Sequence, residues 1–261
     1  MGIPLRKLWK NKPKQWGPAS LVQSGLFNAA ERLGIDPASC QLALPMWGAA
    51  IDYVNGIRPD SVLNAKFVNN TLALTAGYVH MPSGFPITNP WSVLVRCTGT
   101  VRNQYVLGWG SISPLKGAPH IGHHHSLGYR LASWGGGQID DMISWAGVLD
   151  FAGTKKTSGN SLAKKYFQGK LLNSGDLDDS TLFDSSGYIG AVSNGGSPWT
   201  GTIDYVLCFN AELSSDQIAL LSDNPYQLWQ PVPQKTYFIP SEATPTILPI
   251  YFNHYNKNIG T

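Results

Sequence analysis

Residues 199–225 leave this chain few folds to choose from. From Trp199 to Asn210, Ile203, Tyr205, Leu207 and Phe209 alternate with Thr202, Asp204, Val206 and Cys208. That is the period-two pattern of a strand with one face deeply buried. A short helix must follow almost at once. Ser214 is placed to cap it, Gln217 three residues on completes a capping box, and Leu213 with Ile218 sits where a hydrophobic staple would close. Asp216 falls in the first turn, where the helix dipole favours an anion. Pro225 forbids continuation, and Asn224 before it is biased away from helix. The long strand and the short capped helix follow each other with almost no slack.

The rest of the chain reads as short strands between turns. Trp91, Val93, Val95 and Cys97 alternate with Ser92, Leu94, Arg96 and Thr98. Thr71–Thr75 and Tyr78–Met81, separated by Ala76-Gly77, predict a tight hairpin. Further strands are predicted at 104–109, 128–134, 142–149, 164–168, 170–172 and 187–191. Such spacing, with Gly- and Asn-rich breaks, argues for a sandwich closed on itself. No fixed-period repeat supports a solenoid or propeller. Charged residues make up only 13% of the chain, about half the usual share, and there are just three glutamates, Glu31, Glu212 and Glu242. So little charge predicts a surface that is polar and neutral, or covered by partners.

Several segments resemble the concanavalin A-like (laminin G-like, LamG) jelly-roll family. Gly201–Ile218 is similar to that family's closing strand and helix. Lys165–Leu172 resembles its hairpin, with Gln168-Gly169 at the turn, and Asp52–Pro59 resembles its opening. Asn224–Pro231 is similar to the ending of such domains in bacteriophage virion proteins. The resemblance spans roughly 46–229. It implies an all-β jelly roll of two antiparallel sheets with short helices and extended arms. The expected organisation is a basic, aromatic arm over 1–45, the jelly roll over 46–222 and a Pro/aromatic extension over 223–261.

Both ends differ in character from the middle. Arg6, Lys7, Lys10, Lys12 and Lys14 interleave with Trp9 and Trp16, and a helix is predicted over 20–33. Beyond residue 230, five prolines break any regular element while Tyr237, Phe238, Tyr251, Phe252 and Tyr255 punctuate them. Tails of this kind cannot build a core of their own. The expectation is therefore that Arg6, Trp9, Trp16, Tyr237, Phe238, Tyr251 and Phe252 anchor the protein on neighbouring subunits, since aromatic and Arg side chains dominate interface energetics. No signal peptide, membrane span or specific nucleic-acid motif is read. Cys40, Cys97 and Cys208 lack metal-like spacing and are expected as buried thiols.

Catalysis finds little purchase. Retaining glycosidases need two carboxyl groups about 5–5.5 Å apart, and the family's hydrolases place them at alternate positions of one strand. No such Glu/Asp string occurs here, and Asp140 and Asp141 would point to opposite faces of a strand. His120 and His123–His125 read as a polar loop rather than a metal site. No cofactor is expected. The one ion for which ligands are conceivable is calcium, on the acidic run Asp176, Asp178, Asp179 and Asp184, read as a loop. A sugar platform would draw on Trp109, Trp134, Trp145 and Trp199 at strand ends or loops.

The leading expectation is a non-enzymatic bacteriophage structural protein, a homo-oligomeric capsid-decoration or tail-fibre subunit made in the host cytoplasm and carried in the virion. Its rival is a carbohydrate-binding module for host surface glycan. A glycan hydrolase with unrecognised carboxylates is the weaker alternative.

Overall fold

A computed structural model describes residues 33–228, apart from 47–48, 70, 100–102, 114–116, 125–127, 144–146, 181, 183 and 226–227. Of the expected arms, 33–45, 223–225 and 228 are described; the rest of them, with Trp145, His125 and all but the last residue of the helix predicted over 20–33, lies outside the described residues.

The described chain is all-β and antiparallel, with one α-helix. The strands are β1 Cys40–Leu44, β2 Ser61–Val68, β3 Thr71–Met81, β4 Trp91–Gly99, β5 Gln104–Trp109, β6 Pro119–His124 and β7 Gly128–Ser133. They continue with β8 Gln138–Asp141, β9 Leu149–Lys155, β10 Asn160–Phe167, β11 Lys170–Asp178, β12 Gly187–Ile189 and β13 Trp199–Phe209. Helix α1 covers Ser215–Asp223. Hydrogen bonds link the strands in the order β11-β10-β9-β4-β13-β3-β12-β5-β6-β7-β8, with β1 on β13 and β2 on β3.

That path folds back on itself into the two layers of a jelly roll. One layer is β11-β10-β9-β4-β13-β1; the other is β8-β7-β6-β5-β12-β3-β2. They are not separate sheets, as the sequence suggested, because the first half of β13 also pairs with the first half of β3. At the far ends, the Asp178 amide on β11 donates to the Gly136 carbonyl in the β7–β8 turn at 2.6 Å. The core between the layers is built from Trp91, Val93, Val95 and Cys97 of β4, Leu107 and Trp109 of β5, Leu131 of β7 and Phe151 of β9, among others.

β13 departs from simple alternation. Its register against β4 shifts between Ile203 and Tyr205, so Asp204 occupies a bulge. A bulge inserts one residue and swaps the faces beyond it. Ile203, Val206 and Cys208 therefore point between the layers, while Tyr205, Leu207 and Phe209 point outward into a second core. Reading Ile203, Tyr205, Leu207 and Phe209 as one face missed that slip. The second core lies under α1, whose Ile218 and Leu221 pack on Leu94, Tyr166, Tyr205 and Phe209. Arg96 fixes the helix end: it clamps Asp150 through Nε and Nη2 at 2.7 and 2.9 Å and donates to the Ser222 carbonyl at 2.6 Å. Tyr205 donates its hydroxyl to the same carboxylate at 2.9 Å.

Other expectations resolve locally. The β10–β11 hairpin turns at Gln168-Gly169, both at positive φ (51° and 76°), the geometry of a two-residue primed turn. Ala76-Gly77 is not a hairpin. β3 runs on through it as a bulge of its own, with Thr75, Ala76 (φ 47°) and Gly77 opposite Asn64 alone of β2, the true hairpin partner that the sequence reading missed. Of the strand predicted over 142–149, the described residues 142, 143, 147 and 148 are not in strand; β8 ends at Asp141 and β9 begins at Leu149. Cys40, Cys97 and Cys208 are buried free thiols.

The capping box is complete: Ser214 Oγ accepts from the Gln217 amide at 3.2 Å, and Gln217 Oε1 accepts from the Ser214 amide at 2.8 Å. Ser214→Ala removes one of these acceptors from an orphan N–H and should cost about 1 kcal/mol of stability, with Ser214→Gly costing only a few tenths. Urea unfolding of the three proteins checks this order.

Candidate functional site

The two layers differ in what covers them. Helix α1 roofs the outer face of the first layer, but the outer face of the second is a sheet of polar and aromatic side chains. Strand alternation places them. Leu107, Ile121, Leu131, Ile139 and Ile189 point into the core. The residues between them, or paired with those, point out: Tyr105, His120, Arg130, Asp140 and Tyr188, with Tyr78 and His80 on β3.

The segment 190–198 crosses this face. Its Gly190 amide donates to the Val106 carbonyl at 2.8 Å, and the Tyr105 amide donates back to the Ser197 carbonyl at 3.2 Å. Gly108 lies beneath it, where a Cβ would stand 2.7 Å from Val192 Cα. The crossing divides the face into two patches.

On one side, Tyr188 meets Tyr78 edge-on at 5.1 Å between ring centroids and His80 at 4.4 Å. His80 Nδ1 shares a hydrogen bond with Asp60 Oδ1 at 2.5 Å. Burial, aided by the neighbouring Tyr78, Asp60 and Asp184, raises the Tyr188 phenol pKa above its ordinary value. On the other side, Arg130 grips Asp140 at 2.8 and 3.1 Å. Burial works against its charge, but Asp140 and the Tyr105 hydroxyl outweigh it and hold the guanidinium firmly protonated. His120 stands edge-on to Tyr105 at 4.8 Å, with Nδ1 3.2 Å from the Ala118 carbonyl. Burial drives its pKa down to about 4, so it is a neutral ring at ordinary pH. The Ala118 carbonyl also receives the Trp134 amide at 3.1 Å, which ties Trp134, one residue past β7, to this patch. Trp134 is 43% exposed.

The candidate tryptophans thus part company. Trp134 offers a ring to solvent. Trp109 and Trp199 are completely buried: Trp109 is edge-on to Trp91 at 5.4 Å, and Trp199 donates Nε1 to the Thr98 carbonyl at 3.2 Å. They are core residues, as strand tryptophans in sandwiches commonly are. The aromatic and charged groups missed in the sequence, Tyr78, His80, Tyr105, Arg130 and Tyr188, share no local motif. Only the pairing of β3, β12, β5, β6 and β7 gathers them.

The acidic run does not make an ion site. Asp176 and Asp178 belong to β11, not to a loop, and alternation sends Asp179 to the opposite face. Asp179 is inside the core, paired with Lys155, while Asp178 and Asp184 accept from the amides of Ser180 and Ser186. Among the described residues no three His, Cys, Asp or Glu side chains converge as a metal site would require. His120, His123 and His124 likewise belong to strand β6 rather than to a loop, and His120 and His123 are buried.

A separate groove of about 290 Å³ opens at one end of the sandwich, lined by Gln41, Asn55, Ile57, Ile87, Thr88 and Asn210 among others. Its amides are partly spent within the protein, since Asn55 Nδ2 donates to the Gln41 carbonyl at 2.9 Å.

No protein-family model and no curated protein sequence matches the chain. Solved structures do. Domain 4 of AbnA, a GH43 extracellular arabinanase from Geobacillus stearothermophilus solved with arabinotriose, superposes with a TM-score of 0.57 at 14% identity, over 70% of this chain and 98% of that domain. Trypanosoma rangeli sialidase in complex with sialic acid gives 0.57 at 17% identity, over 73% of this chain. A mutant of that sialidase displaying trans-sialidase activity gives 0.60 at 15%, over 81% of this chain. The chain spans only 34–39% of those sialidases' length. Likeness at such identity carries the fold alone, a concanavalin A-like jelly roll.

Two outcomes follow. Trp199→Ala should lose about 3–5 kcal/mol by cavity formation, whereas Trp134→Ala should stay within about 0.5 kcal/mol of the parent; urea midpoints decide. Because the folded His120 pKa lies below the ordinary value, its contribution is fully present above pH 6.5 and is lost as pH falls from about 6.5 toward 4. Stability of the parent should drop more steeply across that window than stability of His120→Gln, by on the order of 2–3 kcal/mol.

Proposed function

We propose that this protein is a carbohydrate-binding module that holds a neutral oligosaccharide on the outer face of its second layer. The observation that carries the reading is that face, which no helix covers among the described residues, where Trp134, Tyr188 and Tyr78 supply rings and Arg130, Asp140, His80 and Asp60 supply donors and acceptors around them. Sugar sites combine apolar or aromatic platforms with a few convergent polar groups. Arg130 is balanced by Asp140, which suits a neutral ligand better than an acidic one. The arabinanase domain of the same fold, solved with arabinotriose, supports the class of ligand.

Binding without hydrolysis is part of the proposal. Asp140 is tied to Arg130 by two hydrogen bonds. A carboxylate with both oxygens held by a guanidinium leaves neither free to serve a leaving group. The virion reading depends on segments 1–32 and 229–261, outside the described residues, and the matched structures bring it no support. Docking through those arms is compatible with glycan binding and ranks behind it.

Titration calorimetry with arabinotriose, alongside an array of neutral and acidic glycans, tests the assignment. The parent should bind neutral oligosaccharide, and Trp134→Ala should weaken it about tenfold or more while remaining folded. Binding that survives both Trp134→Ala and Tyr188→Ala would move the site elsewhere, with the Asn55–Asn210 groove next in line. A parent that binds no glycan while attaching to isolated virions through residues 1–32 or 229–261 would restore the structural reading.

A further inference from the structure

The core between the layers contains a charged arrangement that packing alone does not call for. Lys155, the last residue of β9, lies directly opposite Trp91 of β4 and points with it into the interior. Asp179 follows Leu177 at same-face spacing and reaches the same point from β11's end. Lys155 Nζ stands 2.5 Å from Asp179 Oδ1, with both side chains entirely shielded from solvent. Asn89, two residues before β4, places Nδ2 at 3.3 Å from that same Oδ1 and 3.2 Å from Oδ2. The amine and the amide are thus held on one carboxylate oxygen. Trp91 Nε1 donates to Oδ2 at 2.9 Å and fixes the carboxylate's orientation. Asn89 Oδ1 is buried with no hydrogen-bond partner, a carbonyl left without the stabilisation that such an atom normally finds. Trp91 in turn stands edge-on to Trp109, which stacks on Phe85.

We propose that Lys155 and Asn89 join in an intramolecular isopeptide bond, with Asp179 as the proton carrier. A primary amine, a carboxamide and a carboxylate in dry surroundings are the complete set for transamidation. Asp179 takes one proton from the Lys155 ammonium, and the freed lone pair attacks Asn89 Cγ. Asp179 then returns that proton to Nδ2, which leaves as ammonia when the Cγ–Nδ2 bond breaks. A second Lys155 proton passes to Asp179 as the new C–N bond closes; the third remains as the amide N–H. Nothing is oxidised or reduced, and no other reactant is needed. The low dielectric favours the exchange, because a buried ion pair gives way to a neutral amide and a neutral acid. The link would tie the residues just before β4 to the end of β9, adjacent strands at the centre of the first layer.

Intact-mass measurement of the purified full chain is the test. The parent should weigh less than its sequence by one ammonia, and fragmentation of a protease digest should return a branched peptide joining residues 89 and 155. Asn89→Ala, Lys155→Arg and Asp179→Ala should each recover the full sequence mass, the last judged on protein shown by circular dichroism to be folded. The parent's own mass decides even where a variant fails to fold. A parent at full sequence mass overturns the proposal. Loss of one water with a branch at residue 179 overturns Asn89 as the acyl donor, and a linked, folded Asp179→Ala overturns the proton carrier.

Discussion

The bulge at Asp204 is the constraint on which the rest of this structure depends. Without it, one face of β13 would hold every large side chain from Ile203 to Phe209, and the protein would have one core. With it, the first half of the strand feeds the interior between the layers and the second half turns Tyr205, Leu207 and Phe209 outward. Those residues need a roof, and α1 supplies it within six residues of the strand's end. The bulge also lets β13 change partners, from β3 along its first half to β1 along its second. The joining of the layers and the covering of one of them are therefore a single event in the chain.

The proposed sugar site falls on the face that, among the described residues, receives no such roof. A helix over the second layer would bury Tyr78, Tyr188 and Trp134 as α1 buries Tyr205, and the polar groups among them would be expensive. Instead segment 190–198 crosses only the middle, over Gly108, where the absence of a Cβ lets backbone lie on backbone. What is left open on each side is a small aromatic patch with its own carboxylate. Open aromatic surface with satisfied polar neighbours is tolerable in water and useful to a sugar ring, which brings its own hydroxyls.

Much of the architecture could be read from the sequence because it is written locally. The capping box at Ser214, the Gln168-Gly169 turn and the alternation in β4 each involve neighbours in the chain. What could not be read depends on strands far apart in sequence. Ala76-Gly77 has the chemistry of a turn, yet β2 pairs along both sides of it and keeps β3 continuous. Trp109 and Trp199 look no different from Trp134 as letters; only the register of β5 and β13 puts two of them inside. The residues proposed to face sugar come from β3, β7, β8 and β12 and from the loop positions Asp60 and Trp134, and the His120 ring joins its patch only because Tyr105 and Arg130 arrive from strands on either side of β6.

The scarcity of charge takes on a different meaning once the interior is known. A chain with so few ionisable groups still commits Asp52, Asp150, Lys155, Lys165 and Asp179 to burial. None is idle: Asp52 accepts from the amides of Ala43, Val54 and Asn55, and Lys165 donates to the Tyr129 and Ile139 carbonyls across the layers while pairing with Asp141 at 2.7 Å. Desolvation makes such groups poor sources of net stability, but each tolerates only one set of partners. An apolar core of alternating strands can slip by two residues and remain apolar. A core in which Lys165 must find two particular carbonyls, and Arg96 one particular carboxylate, cannot. The buried charges thus do for strand register what the apolar pattern leaves undecided, and the exposed face owes its arrangement of rings to that register.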